Sequence, residues 1–77
     1  MVKKILVYME RLEQMIPLLS SKEDIEKYVE GGEFQSILSE MRNNLEVETS
    51  LFVSPYYIHI EVFKKGNNKG SVYKIIY

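Results

Sequence analysis

The sequence has no cysteine, one histidine and one aspartate among its 77 residues. Without cysteine the chain can form no disulfide, no thiolate zinc site, no redox pair and no thiol nucleophile. One histidine and one aspartate also provide few metal ligands, so we expect no bound metal and no other cofactor. The absence of cysteine fits a reducing compartment, and we expect the protein in the cytoplasm.

Long apolar runs are missing as well. No stretch approaches the roughly 20 apolar residues of a membrane span. The apolar run near the N-terminus is interrupted by Glu10, Arg11 and Glu13, and no small-residue cleavage site follows it. We therefore predict no signal peptide, no membrane anchor and no membrane partner.

The chain length predicts a single domain spanning residues 1–77, with a helical part over 1–44 and a β-meander over 45–77. A domain this short buries only about 60% of the surface that its unfolded chain exposes, so its core is thin. Small domains compensate with disulfides, a structural metal or self-association. Since the composition disfavours the first two, we expect self-association to stabilise the fold.

Apolar residues recur every three or four positions near the N-terminus, which is the period of an amphipathic helix. This stripe consists of Val2, Ile5, Leu6, Met9, Leu12, Met15, Ile16 and Leu19. Pro17 removes a backbone donor and clashes with the preceding turn, so we expect the helix to end between Ile16 and Leu19. A strand over residues 2–9 is the alternative that the short apolar run leaves open.

A second helix is predicted over residues 22–30, because Ser20 and Ser21 are N-cap residues that each precede an acidic residue by three positions. Gly31 and Gly32 can close this helix in left-handed conformations. The segment has few apolar residues, so we expect it to be peripheral.

The helical period resumes over residues 33–45, with Asn43 and Asn44 as the C-terminal stop. An alternating pattern then predicts three strands, over 45–53, 56–64 and 71–77. The fold class is therefore α+β, with two or three N-terminal helices packed on a C-terminal three-stranded antiparallel meander. The predicted core is Ile5, Met9, Leu12, Ile16, Phe34, Ile37, Leu38, Met41, Val47, Leu51, Ile58, Ile60, Val62 and Ile75.

The turn between the second and third strands indicates their register. Asn67 and Asn68 can occupy a type I′ turn, in which both central residues need positive φ. That turn, or a four-residue loop over 66–69, places Val62 opposite Tyr73 and Ile60 opposite Ile75.

The first hairpin is less tightly specified by its sequence. A two-residue turn at Ser54 and Pro55 places Val47 opposite Val62, although proline is unusual there unless its peptide bond is cis. A three-residue loop would reverse the side that the first strand presents to the core.

One face of the predicted sheet carries the core residues, and the opposite face is also rich in apolar and aromatic side chains. An exposed patch of this kind, a few hundred Å² in area, tends to mark an interaction surface. We predict that this surface comprises Phe52, Tyr57, His59, Phe63, Val72 and Ile76. The alternative is that the first and third helices cover opposite faces of the sheet.

His59 and Glu61 lie on the same strand face, and the predicted registers place Glu61 between Glu48 and Lys74. A proton-transfer pair or a weak metal site is conceivable there, but a surface cluster of cross-strand charges is the simpler interpretation. Two directly opposed glutamates are also a sign that the first register is wrong.

The C-terminal hairpin is basic and aromatic, which are the two ingredients of single-stranded nucleic-acid binding. The residues that this alternative uses are Lys64, Lys65, Lys69 and Lys74. Exposed lysines also keep a hairpin soluble, so this is the second hypothesis.

The sequence contains no phosphate-binding loop and no nucleophile elbow, and the single histidine has no clear acid partner. We therefore expect no enzymatic activity. The first hypothesis is a small accessory or regulatory protein that acts by protein–protein interaction, as a homodimer and with a further protein as a potential partner.

Overall fold

The computed structural model describes residues 2–16, 21–67 and 69–77. It contains three helices followed by a three-stranded antiparallel sheet with strand order β1-β2-β3. The elements are α1 (Val2–Gln14), α2 (Lys22–Glu30), α3 (Gly32–Leu45), β1 (Val47–Val53), β2 (Tyr57–Lys64) and β3 (Gly70–Ile76). The predicted α+β class, with N-terminal helices and a C-terminal meander, is confirmed, and residues 2–9 form helix rather than strand.

Helix α1 ends at Gln14, two residues before the earliest predicted position. The next residues form a tighter turn. The amides of Met15 and Ile16 donate to carbonyls three residues back in the sequence, at 3.2 and 3.1 Å. The residue before a proline is sterically disfavoured in the helical region, which accounts for the early end before Pro17. Pro17 itself and Leu19 lie outside the described residues.

Helix α2 has the predicted bounds, and Ser21 is its N-cap, with the Ser21 hydroxyl accepting from the Asp24 amide at 3.2 Å. Ser20 lies outside the described residues. The predicted left-handed closure is wrong, because Gly31 has φ −72° and ψ 160° and Gly32 has no positive φ. Gly31 ends α2 and also serves as the N-cap of α3, and an N-cap is typically extended.

The expectation that α2 is peripheral is also wrong. Ile25 and Val29, one helical turn apart, are both buried in the core. The buried residues are Ile5, Met9, Leu12, Ile25, Val29, Phe34, Leu38, Met41, Val47, Ile58, Ile60, Val62 and Ile75. Ile16, Ile37 and Leu51 are only partly buried against this core, and Leu6 is exposed.

Helix α3 continues through the predicted stop at Asn43 and Asn44 and ends at Leu45. The stop is Glu46, which takes a left-handed conformation (φ 54°, ψ 48°) while its amide donates to the Arg42 carbonyl. A left-handed residue at this place closes the helix, and β1 begins at the next residue. The Asn44 side chain instead donates to the Tyr8 hydroxyl at 2.8 Å and links α3 to α1.

Both predicted strand registers are wrong by two residues. Val47 lies opposite Lys64 instead of Val62, and Ile75 lies opposite Ile58 instead of Ile60. Because side chains alternate with a period of two, a shift of two residues leaves every side chain on its predicted face.

The turn chemistry explains the shift in the first hairpin. The Ser54 amide donates to the Tyr57 carbonyl at 2.8 Å, so the central turn residues are Pro55 and Tyr56. Proline at the first central position needs no cis bond, and the described residues contain none. The Ser54 hydroxyl also accepts from the Tyr57 amide at 3.1 Å and holds the turn.

The second hairpin turns earlier than predicted. The Asn67 amide donates to the Lys64 carbonyl at 3.0 Å, and Gly66 has φ 80° in the position that requires a positive value. Asn67 itself has no positive φ, so a type I′ turn does not begin there. Asn68 lies outside the described residues.

Candidate interaction surface

The two faces of the sheet differ in burial. The buried strand residues, Val47, Ile58, Ile60, Val62 and Ile75, all lie on one face and belong to the helix-packed core. We call the opposite side the outer face; it is formed by Glu48, Ser50, Phe52, Tyr57, His59, Glu61, Phe63, Gly70, Val72, Lys74 and Ile76. None of these residues is buried, so the alternative in which α1 and α3 cover opposite faces is wrong.

All six predicted surface residues lie on the outer face. Ile76, Phe52 and Val72 are the most open of them, with exposed fractions of 79%, 52% and 49%. Tyr57, His59 and Phe63 are intermediate. The outer face therefore presents aliphatic and aromatic groups directly to water, as an interaction surface does.

Strand pairing arranges the outer face in four rows. From the β1–β2 turn onward they are Tyr57 with Ile76; Phe52, His59 and Lys74; Ser50, Glu61 and Val72; and Glu48, Phe63 and Gly70. The first two rows are mostly aromatic and apolar, and the carboxylates lie in the last two.

Side chains in the first two rows contact one another. The Phe52 and His59 rings are stacked, with centroids 4.4 Å apart and an interplanar angle of 17°. The Lys74 ammonium lies 4.7 Å from the centre of the Tyr57 ring, a cation–π distance. These contacts hold three rings and one cation in defined orientations on the outer face.

The predicted charge cluster is not formed. Glu61 lies opposite Ser50 and Val72, whereas Lys74 lies opposite His59. The ion pairs found within the described ranges, Arg11–Glu40 and Lys22–Glu26, are both on helices. The outer face therefore carries two carboxylates and one ammonium that form no ion pair within the described part of the chain.

The lysines of the nucleic-acid hypothesis are divided between two places. Lys64, Lys65 and Lys69 lie at the exposed β2–β3 turn, and Lys74 lies in the second row of the outer face. Lys64 is on the same face as the core residues of β2, so it and Lys74 point to opposite sides of the sheet.

A second exposed apolar pair was not predicted from the sequence. Leu6 and Val7 on α1 are 45% and 56% exposed. Val7 lines a groove of about 350 Å³ between α1 and the end of α3, together with Lys4, Tyr8, Arg11, Asn44 and Leu45. Leu6 lies at the edge of the apolar stripe, where periodicity alone does not decide burial.

Neither a metal centre nor a membrane span is found in the part of the chain that the structure describes. No three potential metal-ligating side chains cluster there, and no helix is long and apolar enough to cross a membrane. Comparisons with protein-family models, with curated proteins and with solved structures gave no match.

Proposed function

We propose that this chain is a small non-catalytic accessory or regulatory protein that acts by protein–protein interaction and forms a homodimer through the outer face. The observation that carries the proposal is the uncovered side of the sheet, where Phe52, Val72 and Ile76 are about half exposed or more. Covering these groups would remove apolar surface from water and add to the small core of the chain.

The outer face is small for a protein–protein interface. Three strands about 4.8 Å apart and some seven residues long, at about 3.3 Å per residue, give a projected area of roughly 300 Å². A stable interface buries about 800 Å² of accessible surface per partner. The outer face is therefore the centre of a modest interface, and we expect the fraction of dimer to depend on protein concentration.

A second copy is favoured over an unrelated partner because the outer face contains both halves of a complementary surface. Glu61 supplies negative charge, and Lys74 supplies positive charge. The remaining positions are mainly apolar or aromatic. A twofold dimer brings the same patch together from both subunits. A patch that carries both charges can therefore place each charge opposite the unlike charge of the second copy.

The test is the solution mass, measured by light scattering behind a sizing column over a wide concentration range. The native chain should pass from monomer to dimer as concentration rises. Ile76→Glu should remain monomeric, because it places a carboxylate in the apolar part of the outer face. Val7→Glu is the matched control, since it changes an exposed valine on α1, and it should dimerise like the native chain.

Two results would count against the proposal. One is a native chain that stays monomeric at every concentration, and the other is a dimer that Ile76→Glu leaves unchanged. Salt-sensitive binding of a random single-stranded oligonucleotide, lost when Lys64, Lys65 and Lys69 are replaced, would support the nucleic-acid hypothesis instead.

A further inference from the structure

The central charges of the outer face restrict how two copies can pack. Glu61 lies on the middle strand in the third row, and Lys74 lies on β3 in the second row. Both would lose water in a face-to-face dimer. A buried charge without a partner is strongly unfavourable, so the packing must bring an opposite charge to each of them.

A twofold axis parallel to the strands and centred on β2 fails this requirement. Such an axis places β2 against β2 of the second copy with the rows aligned. Glu61 then meets Glu61 of the second copy, and His59 meets His59. Like charges at the centre of an interface oppose association, while Lys74 meets the ring of Phe52.

A twofold axis perpendicular to the strands, between the second and third rows, meets the requirement. It keeps β2 against β2 but exchanges the rows, so that His59 faces Glu61 of the second copy. Lys74 then lies one strand away from that same carboxylate. The Lys74 ammonium already leans over β2, since it lies 4.7 Å from the Tyr57 ring centre.

The same axis also matches the apolar groups. Tyr57 in the first row faces Phe63 of the second copy, which pairs two aromatic rings. Ile76, the most exposed of the aliphatic side chains on this face, meets Gly70, which presents no side chain.

We infer that the homodimer has its twofold axis across the strands, with Glu61 of each copy held by Lys74 and His59 of the other. This inference depends on the proposed function, because it specifies the geometry of the same interface. It makes a prediction that simple hydrophobic association does not make: the two charges act as a pair between subunits.

The test exchanges the charges one at a time. Glu61→Lys alone places lysine against lysine, and Lys74→Glu alone places glutamate against glutamate. Each variant should dimerise at least about tenfold more weakly than the native chain. In an equimolar mixture both contacts again join lysine to glutamate, so a heterodimer should form with an affinity within a few-fold of the native value.

Glu48→Lys is the matched control, because it reverses a carboxylate at the edge of the same face, which this axis places opposite the turn residue Ser54. It should dimerise nearly as well as the native chain. Its heterodimer with Lys74→Glu should stay weaker than the native dimer, because only one of the two contacts then joins lysine to glutamate. Circular dichroism of each variant checks that the fold is retained.

The outcomes separate the two claims. A native chain that stays monomeric overturns the proposed function and this inference with it. A native dimer whose two charge variants fail to form a heterodimer overturns only the axis. A mixture of Glu61→Lys with the native chain that dimerises more tightly than the native chain alone would show the parallel axis, in which Glu61 meets itself.

Discussion

The imidazole of His59 lies flat against the ring of Phe52 on the neighbouring strand, with ring centroids 4.4 Å apart. The two residues are direct cross-strand partners, so the stack follows from the β1–β2 register. The stack fixes both side chains near the centre of the outer face. In the proposed dimer neither ring would have to be ordered on binding, which lowers the entropic cost of association.

Replacing Phe52 should affect dimerisation more than the stability of the monomer. Phe52→Ala removes a half-exposed ring and its stack on His59, which is worth about 0.5–1.5 kcal/mol to folding. The free energy of dimerisation should fall by more than this amount, because the ring lies within the proposed interface. Urea unfolding at low protein concentration and the concentration dependence of the solution mass measure the two effects.

Tyr56→Ala is the control for that experiment. Tyr56 is an exposed aromatic residue in the β1–β2 turn and not a member of the outer face. Its removal should leave the monomer–dimer equilibrium unchanged. Equal losses of association in both variants would argue against a specific role for the outer face.

Gly70 should not tolerate a side chain. A Cβ atom there would come within 2.7 Å of the Val62 carbonyl oxygen and 2.9 Å of the Phe63 Cβ. The backbone must shift to relieve this contact, so Gly70→Ala should destabilise the fold by about 1–3 kcal/mol. Gly32→Ala, where a Cβ meets nothing within 4 Å, should be neutral or stabilising by up to about 1 kcal/mol. Thermal unfolding of both variants gives the comparison, and equal melting temperatures would contradict it.

The N-cap of α2 gives a second stability prediction. Ser21→Ala removes the acceptor of the Asp24 amide and should lower the free energy of unfolding by about 1 kcal/mol. Ser36→Ala, at an exposed position within α3, should be neutral or slightly stabilising because alanine is the better helix former. If chemical denaturation shows the same small effect for both serines, the cap does not stabilise the helix.

The burial of α2 can be tested at Ile25, which is fully buried. Ile25→Ala should lower the free energy of unfolding by about 2–5 kcal/mol, a large share of the stability of so small a domain. Lys27→Ala on the exposed side of the same helix should change it by no more than about 0.5 kcal/mol. A small effect at Ile25 in equilibrium unfolding would mean that α2 is peripheral after all.

The composition of the two sheet faces was predictable because it depends only on the alternation of side chains. Val62 and Ile75 remain inside, and Phe52 and Ile76 remain outside, whether the register is the predicted or the observed one. The contacts within the outer face depend on the register itself. A turn centred on Ser54 and Pro55 moves the partner of Phe52 from His59 to Tyr57, so the predicted register does not contain the observed stack.

The burial of α2 was not predictable from composition, because three apolar residues, Ile25, Tyr28 and Val29, are few for a core helix. Ile25 and Val29 are buried because α2 and α3 are joined directly at Gly31. This junction depends on the extended conformation of Gly31, which the sequence alone does not distinguish from a left-handed one. Likewise, Glu46 closes α3 in a conformation that favours glycine or asparagine, so the neighbouring Asn44 was the reasonable expectation.

The most direct test of the outer face is a residue-resolved NMR dilution series of the native chain. Amide signals are followed as concentration falls through the range where the mass changes. We predict that the amide chemical shifts of the outer face change and that those of α1 stay fixed. The largest changes are expected at Phe52, His59, Glu61, Val72 and Ile76. Shifts confined to Leu6 and Val7 on α1, or no shifts at any concentration, would contradict it.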